Sequence, residues 1–178
     1  MASAHHALPR SGAGHCRPRV DGMSEALAAL QDRTFSRATA ATAAAYPQDR
    51  RLTGAQLAAY LDQRAFAVIG SGRADGRPHA AMSSYIRRDA TFWLPTVTGS
   101  VRERNVRGQP WVTLVVTEGD HDRHIVVLVE GTAAIVAPPG VPADVRSQVS
   151  GDWAGAWLAV RAERLLSYAS QGAHPAPG

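Results

Sequence analysis

The chain has 178 residues, of which 45% are hydrophobic, enough for one folded domain with a sizeable core. No apolar run reaches the roughly 20 residues that span a bilayer, and residues 1–22 lack the apolar centre of a secretory signal. We therefore expect a cytoplasmic protein with no membrane partner. The net charge of +4 comes from 19 basic residues, all arginine. Because acidic residues lie close to many of these arginines, we expect no nucleic-acid partner.

The N-terminal part divides into a leader and an alanine-rich segment. Residues 1–22 are rich in Pro, Gly, His and Arg without periodicity, which is typical of a flexible segment. Residues 24–45 are alanine-rich and predict partial helix. The pattern breaks at residues 46–51. We therefore assign residues 1–50 to a flexible, partly helical leader, in which Met23 is a second candidate for the translation start.

From Thr53 the pattern becomes regular. Thr53 is a typical N-cap, and Leu57, Tyr60 and Leu61 follow at helical spacing. Residues 65–72 then form a short apolar run rich in β-forming residues. Asp75-Gly76 is a strong hairpin signal, which predicts a second strand over residues 79–88. A turn at Asp89 and a third strand over residues 90–97 follow.

The second half predicts two long strands, a helix and a final strand. Residues 110–119 and 124–139 are predicted strands, with a bulge or a bend at Gly131 in the latter. Pro142 opens a predicted helix over residues 142–157, which would place Trp153 and Trp157 on one face. Residues 158–170 predict strand pieces joined by a turn at residues 161–164. The fold class is therefore mostly β with flanking helices, an antiparallel barrel over residues 51–170 with a flexible tail over 171–178.

The segment "TVTGSVRERN", residues 96–105, carries the clearest chemical signal. Ser100 and Glu103 form a capping-box pattern, which by itself indicates an ordinary helix start. A helix N-terminus also presents unpaired N–H groups to anions, and Arg102 and Arg104 add guanidinium groups suited to phosphate. Thr96 and Thr98 alternate on the preceding strand, so their hydroxyls would share a face. The segment is thus either a helix start alone or a helix start that also holds a phosphomonoester.

The order of these motifs resembles a known family. Over residues 52–136 the chain is similar to flavin-binding split β-barrel proteins related to pyridoxamine 5′-phosphate oxidase. The resemblance is carried by a strand, a "DG-P" hairpin, an aromatic strand ending in Thr, the "GSVRERN" helix start and an apolar strand introduced by Pro. It continues in "VEGTAAIV" and "RAERLLSYAS". It implies an antiparallel split β-barrel that forms a homodimer with two cofactor sites at the subunit interface.

The resemblance also implies positions for the cofactor. Its phosphate would lie at the strand–helix junction, against Thr96, Thr98, Ser100 and Arg102. Its ring system would lie against the second strand, at Met82, Ser83 and Ser84. Arg104 and Asn105 match the family motif as further cofactor-site residues; Arg104 would bind phosphate or tie down the helix, and Asn105 would hold backbone.

The implied function is that of an FMN-dependent oxidoreductase that transfers hydride to or from an unknown small molecule. Coenzyme F-420 is the alternative cofactor, and a non-catalytic flavin- or haem-binding module is the alternative class. Residues 140–178 have no counterpart of the Arg- and Trp-rich segment that holds the substrate phosphate of true pyridoxamine-phosphate oxidases, so we do not expect vitamin B6 oxidation. His121 and His124 have ligand-pair spacing without a third ligand, so we expect no metal site. No catalytic side chain is assigned.

Overall fold

The computed structural model describes residues 19–173. Within that range the α-helices are α1 (Arg19–Ser36), α2 (Ala40–Ala45), α3 (Gly54–Asp62), α4 (Val101–Gly108) and α5 (Ala143–Arg146). The strands are β1 (Phe66–Gly72), β2 (Pro78–Ser84), β3 (Ile86–Arg88), β4 (Thr91–Thr96), β5 (Trp111–Gly119), β6 (His124–Val136) and β7 (Ala156–Ala169). None of the described helices is both long and apolar enough to cross a membrane.

The strands form one curled antiparallel sheet. Their order is β2-β1-β5-β6-β7-β4-β3, so the two end strands, β2 and β3, are consecutive in the chain. Only Tyr85 separates them. The sheet must therefore curl until its two ends approach each other, which gives the expected split barrel. The predicted fold class is confirmed.

The core lies on the concave face of this sheet. Alternate residues of β5 and β6 are buried, as expected for strands with one covered face. Leu27 of α1 and Leu57 of α3 are fully buried in the same cluster as Leu114 and Val127 of these strands. Helices α1 and α3 thus cover the open side of the barrel and exclude water from its interior.

Helix α1 is also attached to β7 by buried hydrogen bonds. The Thr34 hydroxyl accepts from the Leu165 amide (3.0 Å), and the Ser167 hydroxyl donates to the Gln31 side-chain oxygen (2.5 Å). The predicted partial helix over residues 24–45 corresponds to α1 and α2, and α1 is part of the core. Residues 1–18 of the predicted leader and 174–178 of the predicted tail lie outside the described residues, and the domain limits stay a prediction.

The turns and caps predicted for the first half are present. The Thr53 hydroxyl accepts from the Gln56 amide and the Gln56 side chain accepts from the Thr53 amide, which completes a capping box. Gly76 has a positive φ of 81° in the β1–β2 turn. The predicted single strand over residues 79–88 is wrong, because the strand breaks at Tyr85. The Tyr85 hydroxyl donates to the Leu61 carbonyl (2.7 Å), which draws Tyr85 towards α3.

The bulge predicted at Gly131 is confirmed, and it explains a second discrepancy. Glu130 pairs with Arg164 and Gly131 pairs with Ala162, so Glu163 is the extra residue of β7. A Cβ atom at Gly131 would lie 2.0 Å from the Arg161 carbonyl oxygen, so only glycine fits there. The predicted turn at residues 161–164 is wrong: β7 is continuous, and the bulge absorbs the irregular segment.

The predicted helix over residues 142–157 is also wrong. Only α5 is helical, and the chain turns at Gly151, which has a φ of 78°. Trp157 lies on β7 and is 1% exposed, packed with Val141 and Val145 in a second cluster. Trp153 is 48% exposed. The two tryptophans do not share a helix face because sheet pairing and burial of Trp157 outweigh the weak helical preference of a segment that contains Gly151.

Candidate functional site

The junction between β4 and α4 is built as a helix start with a shifted capping box. The Ser100 hydroxyl accepts from the Glu103 amide (3.2 Å), as predicted. The Glu103 carboxylate, however, accepts from the Gly99 amide (2.6 Å) and from Arg107 Nη2 (2.7 Å), not from the Ser100 amide. These hydrogen bonds, that from Gly99 first, hold the pKa of Glu103 below its usual value. Its carboxylate therefore already has hydrogen-bond donors within the helix and its N-terminal turn.

Arg102 connects β2 and β4, two strands that are not neighbours in the sheet. Its guanidinium donates to the Met82 carbonyl of β2 (3.2 Å) and to the Thr96 hydroxyl of β4 (3.3 Å). Thr96 is fully buried, and its hydroxyl also lies 3.0 Å from that of Ser100. Burial lowers the pKa of Arg102, but an arginine stays protonated in proteins. The result is a partly buried positive charge at the helix start.

The first turn of α4 adds backbone donors to this charge. An α-helix leaves its first amides without intrahelical acceptors. The Glu103 amide is taken by Ser100, and the Arg104 amide donates to the Ser100 carbonyl (3.0 Å). No acceptor for the amides of Val101 and Arg102 occurs in the part of the chain that the structure describes. These two amides, the Arg102 guanidinium and the hydroxyls of Thr96 and Ser100 lie together at the helix start.

The remaining residues of the motif lie apart from this group. Strand β4 ends at Thr96, so the predicted shared strand face with Thr98 does not form; Thr98 is exposed in the following turn, beside Gly155. Arg104 is exposed, and its Nη1 donates to the Gly99 carbonyl. Asn105 is buried, and its Nδ2 donates to the Ser71 hydroxyl (3.0 Å). Successive residues of a helix are about 100° apart, so neighbours in sequence face different surroundings.

Strand β2 offers a free backbone edge next to Arg102. Among residues 19–173, β2 ends the sheet and pairs with β1 alone, which leaves its other edge unpaired. The Met82 carbonyl is on that edge because it accepts from Arg102, whereas the Met82 side chain is 63% exposed. Ser83 is buried, and its hydroxyl donates to the Ser84 carbonyl (3.0 Å). The three predicted ring-binding positions therefore present backbone and one exposed thioether.

An apolar row crosses the outer face of the sheet from the same point. The strand registers align Met82 with Val68, Val68 with Val115, and Val115 with Leu128. Phe66, in the neighbouring row, is 59% exposed. Met82 and Phe66 are exposed and the three other residues of the row are half-buried. Apolar surface that continues over several residues is characteristic of interaction sites.

A separate cleft lies between the β1–β2 turn and α4. It encloses about 670 Å³ and is lined by Arg73 and Gly76 of the turn and by Arg104, Gly108 and Gln109 of the helix region. Arg73 was not predicted from the sequence. It lies 31 positions before Arg104, so no short motif contains both residues, and only the fold brings them to one cleft.

Two further residues near the sheet, Tyr85 and His124, carry titratable side chains. Tyr85 is buried in the core, and burial raises the pKa of its hydroxyl well above the usual value. His124 begins β6, and its ring stacks on Tyr168 with the centroids 5.5 Å apart. Both residues therefore have packing roles.

Solved structures with the same fold include proteins with different ligands. A conserved hypothetical protein of Mycobacterium tuberculosis is 22% identical over 71% of this chain and 90% of its own, with a TM-score of 0.61. The FAD-binding protein of Mycobacterium smegmatis is 16% identical over 67% of this chain and 98% of its own (TM-score 0.56). The haem storage protein HutZ of Vibrio cholerae is 11% identical over 64% and 92%, respectively (TM-score 0.52). At these identities the similarity establishes the fold.

Among curated proteins, none matches the chain in sequence. A family model does: that of pyridoxamine 5′-phosphate oxidase matches residues 53–173, which contain α3, the whole sheet and the junction between β4 and α4. This range is more than half of the chain; it begins one residue after the start of the resemblance over residues 52–136 and extends beyond it through β7. The chain belongs to the pyridoxamine 5′-phosphate oxidase family.

Proposed function

We propose that the protein is an FMN-dependent oxidoreductase that transfers hydride to or from a small molecule other than a B6 vitamer. The observation that carries this proposal is the partly buried Arg102 guanidinium beside the first turn of α4. A charge-assisted hydrogen bond from arginine to phosphate is about twice as strong as one between neutral groups. A phosphate would therefore compete well with the neutral acceptors that Arg102 now uses.

The residues at the junction fit a phosphomonoester. Arg102, the Val101 and Arg102 amides and the hydroxyls of Thr96 and Ser100 are all donors or can act as donors. The nearest carboxylate, Glu103, is held by Gly99 and Arg107. We assign Thr98 to the rim of this site. Arg104 and Asn105 would position α4, through their contacts with Gly99 and Ser71.

The free edge of β2 would hold the ring system. Backbone N–H and C=O groups at Met82 and Ser84, on the unpaired edge of β2, can pair with the polar edge of a flavin, and the Met82 side chain offers an apolar contact. The Ser83 backbone faces β1, so Ser83 would hold the strand in position between them. FMN, when bound, supplies reversible acceptance of hydride. The chain's own residues would hold and orient it, and we assign no side-chain acid or base.

We further propose that the protein is a homodimer. The apolar row at Met82, Val68, Val115 and Leu128 is the surface best suited to a second copy, because it begins beside the proposed ring site. Burial of such a row on association would be favourable at about 25 cal/mol per Å² of apolar surface before the costs of association. The cytoplasmic location stays a prediction.

Coenzyme F-420 is the alternative cofactor, and a non-catalytic module is the alternative class. The module is favoured by one observation, the shared fold with the haem storage protein HutZ. The absorbance spectrum of the purified protein separates these, with flavin near ~450 nm, F-420 near ~420 nm and a Soret band for haem. A flavin band that bleaches under NAD(P)H and returns with an acceptor supports the enzyme. A protein that stays colourless after mixing with FMN and F-420 contradicts the proposal.

A further inference from the structure

We propose that the cleft between the β1–β2 turn and α4 is a second anion site, which binds a nucleoside phosphate separately from the flavin phosphate. The cleft is the 670 Å³ space lined by Arg73 and Arg104, one from each element. Four properties of the cleft support the proposal: its charge, its size, its hydrogen-bond acceptors and its separation from the junction between β4 and α4.

The cleft is lined by two arginines whose guanidinium groups form no ion pair among the described residues. Neither Arg73 nor Arg104 forms an ion pair within residues 19–173, and Arg104 donates only to the Gly99 carbonyl. The nearby carboxylates are engaged elsewhere. Asp75 is held by Arg77 through bonds of 2.8 Å and 2.6 Å, and Glu103 pairs with Arg107 at 2.7 Å. Each acid is hydrogen-bonded to another arginine and interacts with the cleft arginines only through space, Asp75 with Arg73 and Glu103 with Arg104. The N–H groups of Arg73 are therefore not used by these acids, and Arg104 gives them none of its own, so both can donate to a ligand.

The size of the cleft fits a nucleotide better than a free phosphate. Small-molecule sites usually enclose about 300–1,000 Å³, and this cleft encloses about 670 Å³. At Gly76 and Gly108 a Cβ atom would have no neighbour within 4 Å, so the walls there are open backbone. A ligand of several rings can enter without displacing a side chain.

Besides its two arginines, which are donors, the cleft contains hydrogen-bond acceptors. It includes Gly108 and Gln109, where α4 ends. The last carbonyls of a helix have no intrahelical donors. In α4 the Asn105 carbonyl accepts a hydrogen bond from the Gln109 amide (2.7 Å). The other terminal carbonyls and the Gln109 side chain can accept from N–H and O–H groups. A ligand with both a phosphate and such donors, as in a nucleoside phosphate, satisfies both ends.

The helix separates this cleft from the junction site. Arg102 and Arg104 are two positions apart and therefore about 200° apart around α4. Arg102 contacts Met82 and Thr96, whereas Arg104 contacts Gly99 and lines the cleft. The two arginines would thus bind two different anionic groups.

The test is calorimetric titration of the full chain with AMP, with and without saturating FMN. We expect AMP to bind in both conditions, more tightly than adenosine or inorganic phosphate. Arg73→Gln and Arg104→Gln should each weaken AMP binding about tenfold, the effect of one lost charge-assisted hydrogen bond. Arg73→Gln should leave FMN affinity unchanged. Arg37→Gln, the same charge change at an exposed position of the α1–α2 connection, should leave AMP binding unchanged.

Three results would overturn the second site. They are no AMP binding by the wild-type chain, competition between AMP and FMN, and equal weakening by Arg37→Gln, which would indicate only general attraction to a basic protein. Arg102→Gln distinguishes this proposal from the flavin proposal, since it should weaken FMN and spare AMP. If FMN fails to bind at all, the AMP titration still tests the cleft, because it does not require FMN.

Discussion

Replacing Arg102 by Gln tests the proposed phosphate site most directly. The substitution removes the positive charge but keeps a polar side chain of moderate length. In the structure it removes two hydrogen bonds, to the Met82 carbonyl and to the Thr96 hydroxyl. It leaves the Ser100 cap and the Glu103 contacts in place, so α4 should still form.

The expected effects on stability and on affinity differ in size. Both present hydrogen bonds are long, at 3.2 Å and 3.3 Å, and go to neutral acceptors. We therefore expect the free energy of unfolding without cofactor to fall by only about 1 kcal/mol. A lost charge-assisted bond to phosphate costs about 1.5–3 kcal/mol, which corresponds to an increase of about 10- to 150-fold in the Kd for FMN. Arg102→Lys, which keeps the charge, should lose less.

Titration with two flavins by fluorescence measures whether the phosphate is what Arg102 recognises. Riboflavin has the same ring system without the phosphate, so its Kd should change little in Arg102→Gln. The ratio of riboflavin to FMN affinity should therefore move towards one. Equal losses for both flavins would refute the phosphate contact. A fall of about 3 kcal/mol or more in urea unfolding with unchanged FMN affinity would show that Arg102 only joins β2 to β4.

Three further substitutions test the bulge, the helix start and the proposed dimer. Gly131→Ala should lower the free energy of unfolding in urea by more than about 3 kcal/mol, because its Cβ would overlap a β7 carbonyl, whereas Gly70→Ala, whose nearest neighbour is 3.7 Å away, should cost under about 1 kcal/mol; similar losses would contradict the overlap. The pKa of Glu103 is lowered by folding, so its carboxylate stabilises the protein above the unfolded pKa of about 4.3 and loses this effect as pH falls through the folded pKa. Glu103→Gln should lower the Tm at pH 7 and reduce the loss of stability as pH falls below the unfolded pKa of about 4.3, and an unchanged pH profile would speak against that role. Met82→Glu should shift the mass in light scattering from dimer to monomer, Trp153→Glu should not, and a dimer that survives Met82→Glu would exclude the apolar row as the interface.

The features that could be predicted are those that short segments determine. Asp75-Gly76 makes its turn because glycine accepts the positive φ of 81° at little cost. Thr53 and Ser100 cap helices through amides three positions ahead. The alternation in β5 and β6 follows from one covered face. In each case the residues that interact lie within a few positions of one another, so the pattern and the structure coincide.

The features that could not be predicted depend on distant partners. The segment at residues 161–164 contains a bulge because β6, some 30 positions earlier, sets the register of β7. Trp157 lies on a strand because Val136 and Pro95 pair with it. The same reason applies to the site. Arg102 and Arg104 look equivalent in the motif, and only the placement of β2 on one side of α4 and of Arg73 on the other separates them.

The position of Arg102 explains why the proposed cofactor site lies where the two ends of the sheet approach each other. A sheet whose end strands are consecutive in the chain leaves unpaired backbone where its ends approach, at β2. Arg102 donates to one of those carbonyls and to a buried hydroxyl. Its charge is therefore already desolvated in part and held in place before any anion binds. An incoming phosphate would replace weak neutral acceptors, so most of its attraction to Arg102 would appear as affinity and little would be spent on ordering the side chain.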